Sequence, residues 1–448
     1  MTEGIMYSDK TKEELIEVIL EQQERIKVLE GKLKEEQKKV VEKFIKANVP
    51  AKRRQRPGRK VGHEGAYRSL PERIDEVIEQ ELITCPECHN SLKGSVEAIE
   101  QIQEDIIPAR VIVRKYRRHR YYCECCQKVV TAPYHGQQIP WGRLGGQVLI
   151  QAAILKYYHC LPYGKIVGVF KDMSGLKVSA GALAQGLQRL SEWLKVEQKV
   201  LLEAIRGSPQ VHIDETGWRL DGKNHWLWAF ANEKLAYYKI DQSRGRKVVE
   251  SVLPKDFKGT IITDFYGVYF KLPYKRQKCL VHLLREFHRC AQTDKSEAYQ
   301  RWYKHIKRLI NDAIKLQGLY ESLEEKVYRR RLRRLKQRLF ALMIYPYRNK
   351  NLKRLAKRFS KYWLDMFTFL NDPKVAWNNN LAERMIRPNV IYRNRSFGNR
   401  SLAGAKAHGT MMSLIQTLTL QKKNVAEVLK TAFIAHRQGN LTPILSIH

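Results

Sequence analysis

The chain has 448 residues, with 82 Lys and Arg against 46 Asp and Glu, giving a formal net charge of +36. At 43% hydrophobic and 10% aromatic it can bury real cores, which excludes a chain disordered throughout. No apolar run approaches the roughly 18 residues of a membrane span, and the polar, partly acidic start carries no secretory signal. So large a positive excess asks for a polyanionic partner, nucleic acid ahead of anionic lipid or acidic protein.

The first predicted element is a helix over about residues 11–47, within a segment spanning 1–48. Leu15, Ile19, Gln22, Ile26, Leu29, Leu33, Glu36 and Val40 recur at spacings of four and three, a heptad seam whose polar members fix register. A coiled coil joining protomers into a homo-oligomer is one reading, and an amphipathic helix packing on its own chain is the other. Residues 49–69 form a basic linker. There Lys52, Arg53, Arg54, Arg56, Arg59 and Lys60 are candidate DNA contacts that neutralise phosphates without reading sequence, unless the run is only a solvated tether.

Residues 70–140 read as a zinc module. Eight cysteines are too few for a disulfide scaffold, but Cys85-Pro-Glu-Cys88 and Cys123-Glu-Cys125-Cys126 pair them at short gaps. Zn²⁺ takes four tetrahedral thiolate or imidazole ligands, so Cys85, Cys88, Cys123 and Cys126 would close one structural site. Cys125, His89 and His119 are possible substitutes, and reduced cysteines without metal are the bland alternative. Between the knuckles, strands are expected over Ile102–Ile107, Ala109–Tyr116 and Arg120–Tyr122.

Residues 141–205 are helical. Gly175 in a turn and Ser179 as a cap suggest a helix-turn-helix-like domain that could set its second helix in a DNA groove, although many such pairs bind nothing. Residues 206–400 alternate strand and helix, with a basic helical stretch over about 280–375. Residues 401–448 form a C-terminal segment with a helical stretch over His408–His436.

Two short apolar strands end in carboxylates, Asp214 and Asp264. In an α/β sheet such positions line the crevice where ligands bind. Carboxylates brought together repel unless a cation neutralises them, and Mg²⁺ suits hard oxygen ligands. Two such ions about 4 Å apart can activate an attacking hydroxyl and stabilise a leaving 3′ oxygen. Glu383, in the first turns of a helix capped by Asn378 or Asn379, is the candidate third acid. Alternation aims Glu215 away from the face of Asp214. Buried caps and salt bridges are the competing explanation for two such acids.

His212-Ile-Asp214-Glu-Thr-Gly-Trp218, Ile262-Thr-Asp264-Phe-Tyr-Gly-Val-Tyr269, Cys279-Leu-Val-His282 and Asn379-Asn-Leu-Ala-Glu383-Arg-Met-Ile-Arg387-Pro388, with the later Arg393-Asn-Arg-Ser-Phe-Gly398, resemble the motifs of bacterial insertion-sequence transposases. The chain is most similar to insertion sequence family sixty-six, over nearly its whole length. The resemblance implies an α/β, ribonuclease-H-like catalytic core with a helical insertion and an Asp-Asp-Glu triad of Asp214, Asp264 and Glu383. These acids would hold two Mg²⁺ ions, with Mn²⁺ a possible substitute. It further implies cleavage of DNA 3′ ends at terminal inverted repeats and joining to target DNA in the bacterial cytoplasm, at the nucleoid, with accessory proteins of the same element as possible partners and no membrane. Arg387, Arg393 and Arg395 in these blocks are candidate DNA contacts, and the insertion arginines 329, 330, 331, 333 and 334 could track phosphates. His282 and Arg285 are kept as active-site neighbours. A lone Cys279-x-x-His282 pair reads as packing, as do Trp218 and Trp377. The rivals are a zinc-containing DNA-binding regulator without catalysis and a metal-dependent nuclease that cuts without joining.

Overall fold

The computed structural model of the protein describes residues 71–444 apart from 94–96, 108, 136, 137, 141 and 441. The expected coiled-coil helix and the basic linker with Lys52, Arg53, Arg54, Arg56, Arg59 and Lys60 lie outside the described residues. The chain divides into two units, Met1–Asp105 and Ile106–His448. In the first, a tight turn is closed by the Cys85 N–H donating to the Asn90 carbonyl at 2.9 Å, next to an isolated bridge between Thr84 and Ser91.

The second unit begins its regular structure with a hairpin of β1 (Arg120–Cys123) and β2 (Lys128–Thr131), Cys123 opposite Lys128. The strands expected over Ile102–Ile107 and Ala109–Tyr116 do not form among the described residues. Their β-branched residues imitate a strand pattern, and Ile106, Ile107 and Val113 are exposed, with no apolar face of a strand buried.

Helices α1 (Gly146–Ala153), α2 (Tyr163–Ser174), α3 (Ala180–Trp193) and α4 (Lys195–Arg206) follow, α1 running into a π-helical turn at Ile154–Tyr158. Gly175 ends α2 in the left-handed region, where it lacks the Cβ that would strain there, and the Ser179 hydroxyl caps α3 by accepting the Ala182 N–H at 3.1 Å. Leu183, Leu187 and Leu190 turn inward and share one core with the sheet below.

That sheet contains β3 (Gln210–Leu220), β4 (Lys223–Ala231), β5 (Ala236–Asp241), β6 (Thr260–Thr263) and β7 (Lys275–Lys278), in the order β5-β4-β3-β6-β7. The first three are antiparallel, while β6 runs parallel to β3 and β7 parallel to β6. Asp221 and Gly222, both at positive φ, make the tight β3–β4 turn.

After β7 the chain leaves the sheet for an insertion of α5 (Leu280–Thr293), α6 (Glu297–Gly318), α7 (Glu325–Ile344) and α8 (Lys350–Lys361) plus shorter turns. It packs its own core around Trp302, Ile306, Leu309, Leu355 and Phe359. Arg329, Arg330, Arg331, Arg333 and Arg334 are all exposed on α7. Departure and return meet: the Leu280 N–H donates to the Trp377 carbonyl at 3.1 Å, and the Asn379 N–H to Cys279 Sγ at 3.2 Å.

Three helices complete the unit: α9 (Asn380–Ser396), which runs through Pro388, α10 (Leu402–Leu420) and α11 (Val425–Arg437). The single stretch expected over His408–His436 is broken near Lys422, which has a positive φ. Helix α10 is buried on nearly every side and docks against edge strand β5. Ser413 Oγ accepts the Tyr238 N–H at 2.9 Å, and Thr417 Oγ1 accepts the Ala236 N–H at 3.0 Å while donating to the Ala236 carbonyl at 3.2 Å. Hydroxyls thus satisfy backbone groups that an edge strand leaves unpaired. No described helix is long and apolar enough to cross a membrane.

Candidate active site

The register of two parallel strands builds the site. His212 of β3 lies opposite Ile262 of β6, so Asp214 and Asp264, each two residues further, stand at one level and with the same parity. Asp264 follows the end of β6, whereas β3 does not end at Asp214 as expected but runs on to Leu220, paired with β4. Glu383 comes from the first turn of α9. That helix is fixed by Asn379, which is 1% exposed. The Asn379 Nδ2 donates to the Ile213 carbonyl at 2.8 Å, leaving Oδ1 to accept from His212 Nδ1 at 3.1 Å. His212 therefore carries its proton on Nδ1, and burial holds its pKa down at about 4, so the ring is neutral. The helix cap itself is divided: Asn379 occupies the capping position, but it is Asn378 Oδ1 that accepts the Asn380 N–H, at 3.0 Å.

The Asp214 carboxyl is pushed up to about 8, by burial first, then by the charges of Glu215 and Asp264 and more weakly of Glu383. The Glu215 N–H, bonded to its Oδ1 at 3.0 Å, opposes the shift. Asp264 Oδ1 accepts the Tyr266 N–H at 2.9 Å, while its carbonyl receives Lys278 Nζ at 2.8 Å. Burial lowers the buried Lys278 to about 8. Glu383 Oε1 is buried and has no hydrogen-bond partner; His282 Nε2 and Arg285 approach it only to 3.7 and 3.6 Å. The orphaned oxygen of Glu383 and the Asp214 carboxyl, whose charge burial penalises, are oxygen donors that a hard divalent cation would relieve, although the three acids do not form one close ligand group among the described residues.

Sequence reasoning missed the role of Glu215. Its side chain is 2% exposed and held by Arg244, whose Nε donates at 3.0 Å, and by the Tyr269 hydroxyl. Arg244 in turn stacks on the Trp226 and Tyr266 rings at 4.2 and 4.1 Å. Alternation was expected to aim Glu215 away from the face of Asp214, yet its charge bears on Asp214 and its own carboxyl is raised, by burial first and also by Asp264. Lys156 was not singled out either: it is buried in a cage of Tyr157, Tyr163 and Tyr392, and burial lowers it to about 7. Trp218 is core, its Nε1 donating to Asn399 at 2.9 Å.

Of the arginines proposed for DNA, Arg387 and Arg395 are exposed, whereas Arg393 points inward, donating to Thr216 Oγ1 at 3.2 Å and to the Gly217 carbonyl. The two cysteine knuckles, each taken by itself, are built alike. The fourth residue after each first cysteine, His89 and Gln127, adopts positive φ. N–H groups of Cys88 and Glu87 hold the Cys85 thiol below its ordinary value, and that of Cys126 does the same for Cys123. Both knuckles thus favour thiolate, the form Zn²⁺ binds.

Residues 142–407, which include Asp214, Asp264 and Glu383, match the model described as "Transposase IS66 family", making this a transposase-class protein. Residues 83–127, with both knuckles, match the "zinc-finger binding domain of transposase IS66". The chain belongs to the IS66 transposase family. It is also similar to two uncharacterized proteins of Sinorhizobium fredii: y4qI, 25% identical over 82% of this chain and 73% of that protein, and y4jD, 26% identical over 78% and 73%.

Proposed function

We propose that this IS66-family chain binds the terminal inverted repeats of its element, cuts their 3′ ends and joins them to target DNA in a Mg²⁺-dependent reaction. The core is read as ribonuclease-H-like, in keeping with three antiparallel strands flanked on one side by two parallel ones. The observation that carries the proposal is the β3–β6 register, which brings Asp214 and Asp264 to one level with Glu383 close enough to bear on Asp214.

In this reading Asp214, Asp264 and Glu383 hold the metal. Bound there, Mg²⁺ would neutralise the acids, activate the attacking hydroxyl and stabilise the leaving 3′ oxygen. The protein's own part is positional. Asn379 and neutral His212 lock the strand to the helix, Lys278 fixes the backbone of Asp264, and Arg285 offers positive charge beside Glu383. Cys85, Cys88, Cys123 and Cys126 form a structural zinc site that fits the two thiolate-favouring knuckles. The α2–α3 pair, Arg387, Arg395 and the α7 arginines contact DNA.

The test incubates purified protein with labelled repeat ends, Mg²⁺ and a target plasmid. Cleavage and joined product are expected, both lost in Asp214→Asn. Absence of cleavage would turn the reading toward a DNA-binding regulator, and cleavage without joining toward a nuclease.

A further inference from the structure

Cys279 and His282 hold neither strand-end acid, yet they occupy the critical corner where the insertion leaves the sheet. Cys279 is fully buried and ends the segment after β7; His282 lies in the first turn of α5. A sulfur of Cys279, a ring nitrogen of His282 and a carboxylate oxygen of Glu383 all lie within 4.8 Å of one another. Two buried atoms here lack hydrogen-bond partners, His282 Nδ1 and Glu383 Oε1. The sulfur already receives the Asn379 N–H at 3.2 Å, while burial pushes the Cys279 thiol up, so that an ion binding there would have to displace its proton.

A core histidine would be expected to spend its ring nitrogens on donors or acceptors, and a buried carboxylate oxygen to find an N–H. Neither has done so, and it is the other ring nitrogen of His282, Nε2, that approaches Glu383 Oε1, at 3.7 Å. Thiolate, imidazole and carboxylate together select Zn²⁺ over Mg²⁺, which prefers oxygen ligands alone. A tetrahedral zinc with bonds of about 2.0–2.3 Å sets its ligand atoms about 3.5 Å apart. His282 Nε2 and Glu383 Oε1, 3.7 Å apart, are already near that spacing.

We propose that Cys279, His282 and Glu383 form a second zinc site, distinct from the cysteine knuckles, with three protein ligands and an open fourth position. The ion ties α5 to α9 at the root of the insertion. Because it shares Glu383 with the proposed magnesium site, zinc occupancy competes with that use of the acid. Zinc binding itself requires neither DNA nor catalysis, so it stands or falls apart from the transposition reading.

The experiment loads full-length protein with Zn²⁺ under reducing conditions, strips loose metal on a chelating resin and measures retained zinc. About two ions per chain are expected for the unaltered protein and about one for Cys279→Ser and for His282→Gln, with unchanged circular dichroism. Serine keeps an acceptor for the Asn379 N–H, so the fold has reason to survive. A second readout uses Co²⁺ in a background with Cys85, Cys88, Cys123, Cys125 and Cys126 all replaced by Ser. A thiolate-to-cobalt charge-transfer band is expected there and is lost on adding Cys279→Ser. Undiminished zinc in Cys279→Ser, or a cobalt band indifferent to Cys279, overturns the proposal. Loss of zinc only through Cys85 and Cys88 would do the same while leaving the finger assignment intact.

Discussion

Asn379 Oδ1 lies 3.1 Å from His212 Nδ1, so one amide couples the strand bearing Asp214 to the helix bearing Glu383. The same residue bonds the Ile213 carbonyl and Cys279 Sγ. The spacing of the acids therefore depends on a residue that is itself not an acid.

Replacing Asn379 by Ala strands the His212 N–H and the Ile213 carbonyl in a buried site, at a cost of about 1–3 kcal/mol. Cleavage of labelled ends should fall about 100-fold or more while the protein still melts cooperatively, since small displacements of positioned groups cost such factors. Single-turnover cleavage beside thermal melts checks this; unaltered cleavage would remove Asn379 from the active-site frame.

Asp214 supplies a pH test with a defined sign. Its folded pKa, about 8, lies above its ordinary value of 3.8. Its contribution to stability is thus fully present below about pH 4 and is lost as pH rises through 8. Metal-free protein should lose on the order of 3–5 kcal/mol from this group across that window. Asp214→Asn should flatten the slope, raise the Tm at pH 8 and abolish cleavage. Mg²⁺ should stabilise the unaltered protein more at pH 8 than at pH 6, because only the ionised carboxylate binds it. Melts from pH 5 to 9, with and without Mg²⁺, read all three.

Two glycines at positive φ separate strain from crowding. A Cβ on Gly398 would lie 2.2 Å from the Arg219 carbonyl oxygen, whereas one on Gly222 meets nothing within 4 Å. Gly398→Ala should cost about 2–4 kcal/mol and loosen the Asn399–Arg219 bond; Gly222→Ala should cost about 1 kcal/mol. Equal losses in denaturant melts would contradict the packing described.

The arginines of α9 should divide in the same way. Arg395→Ala, at an exposed position, is expected to weaken DNA binding and reduce the salt slope by about 1, with unchanged Tm. Arg393→Ala should lower the Tm, since its guanidinium fastens α9 to Thr216 and Gly217. Binding titrations at several salt concentrations, beside melts, distinguish the two.

The two acids were legible because each follows a short apolar run, Val211–Ile213 and Ile261–Thr263, but the continuation of β3 past Asp214 to Leu220 was not, since it depends on pairing with β4. The Gly175 turn and Ser179 cap were legible for the same local reason. What could not be read is whatever depends on distant partners. Ile102–Ile107 and Ala109–Tyr116 have strand composition but bury no apolar face. Asn379 looks like a helix cap, yet its amide serves a strand over 160 residues away in the chain. The Cys279-x-x-His282 pair reads as packing until the fold sets Glu383 against it.

The bonds that pin Leu280 to Trp377 and Cys279 to Asn379 close the insertion at its root, and Arg276–Asp365 and Gln277–Phe369 stitch its last turns to edge strand β7. The part beyond those ties, such as the exposed face of α7, can be given a new surface by evolution without moving Asp264 relative to Glu383. Relatives can thus diversify how they grip DNA while the cutting geometry stays still.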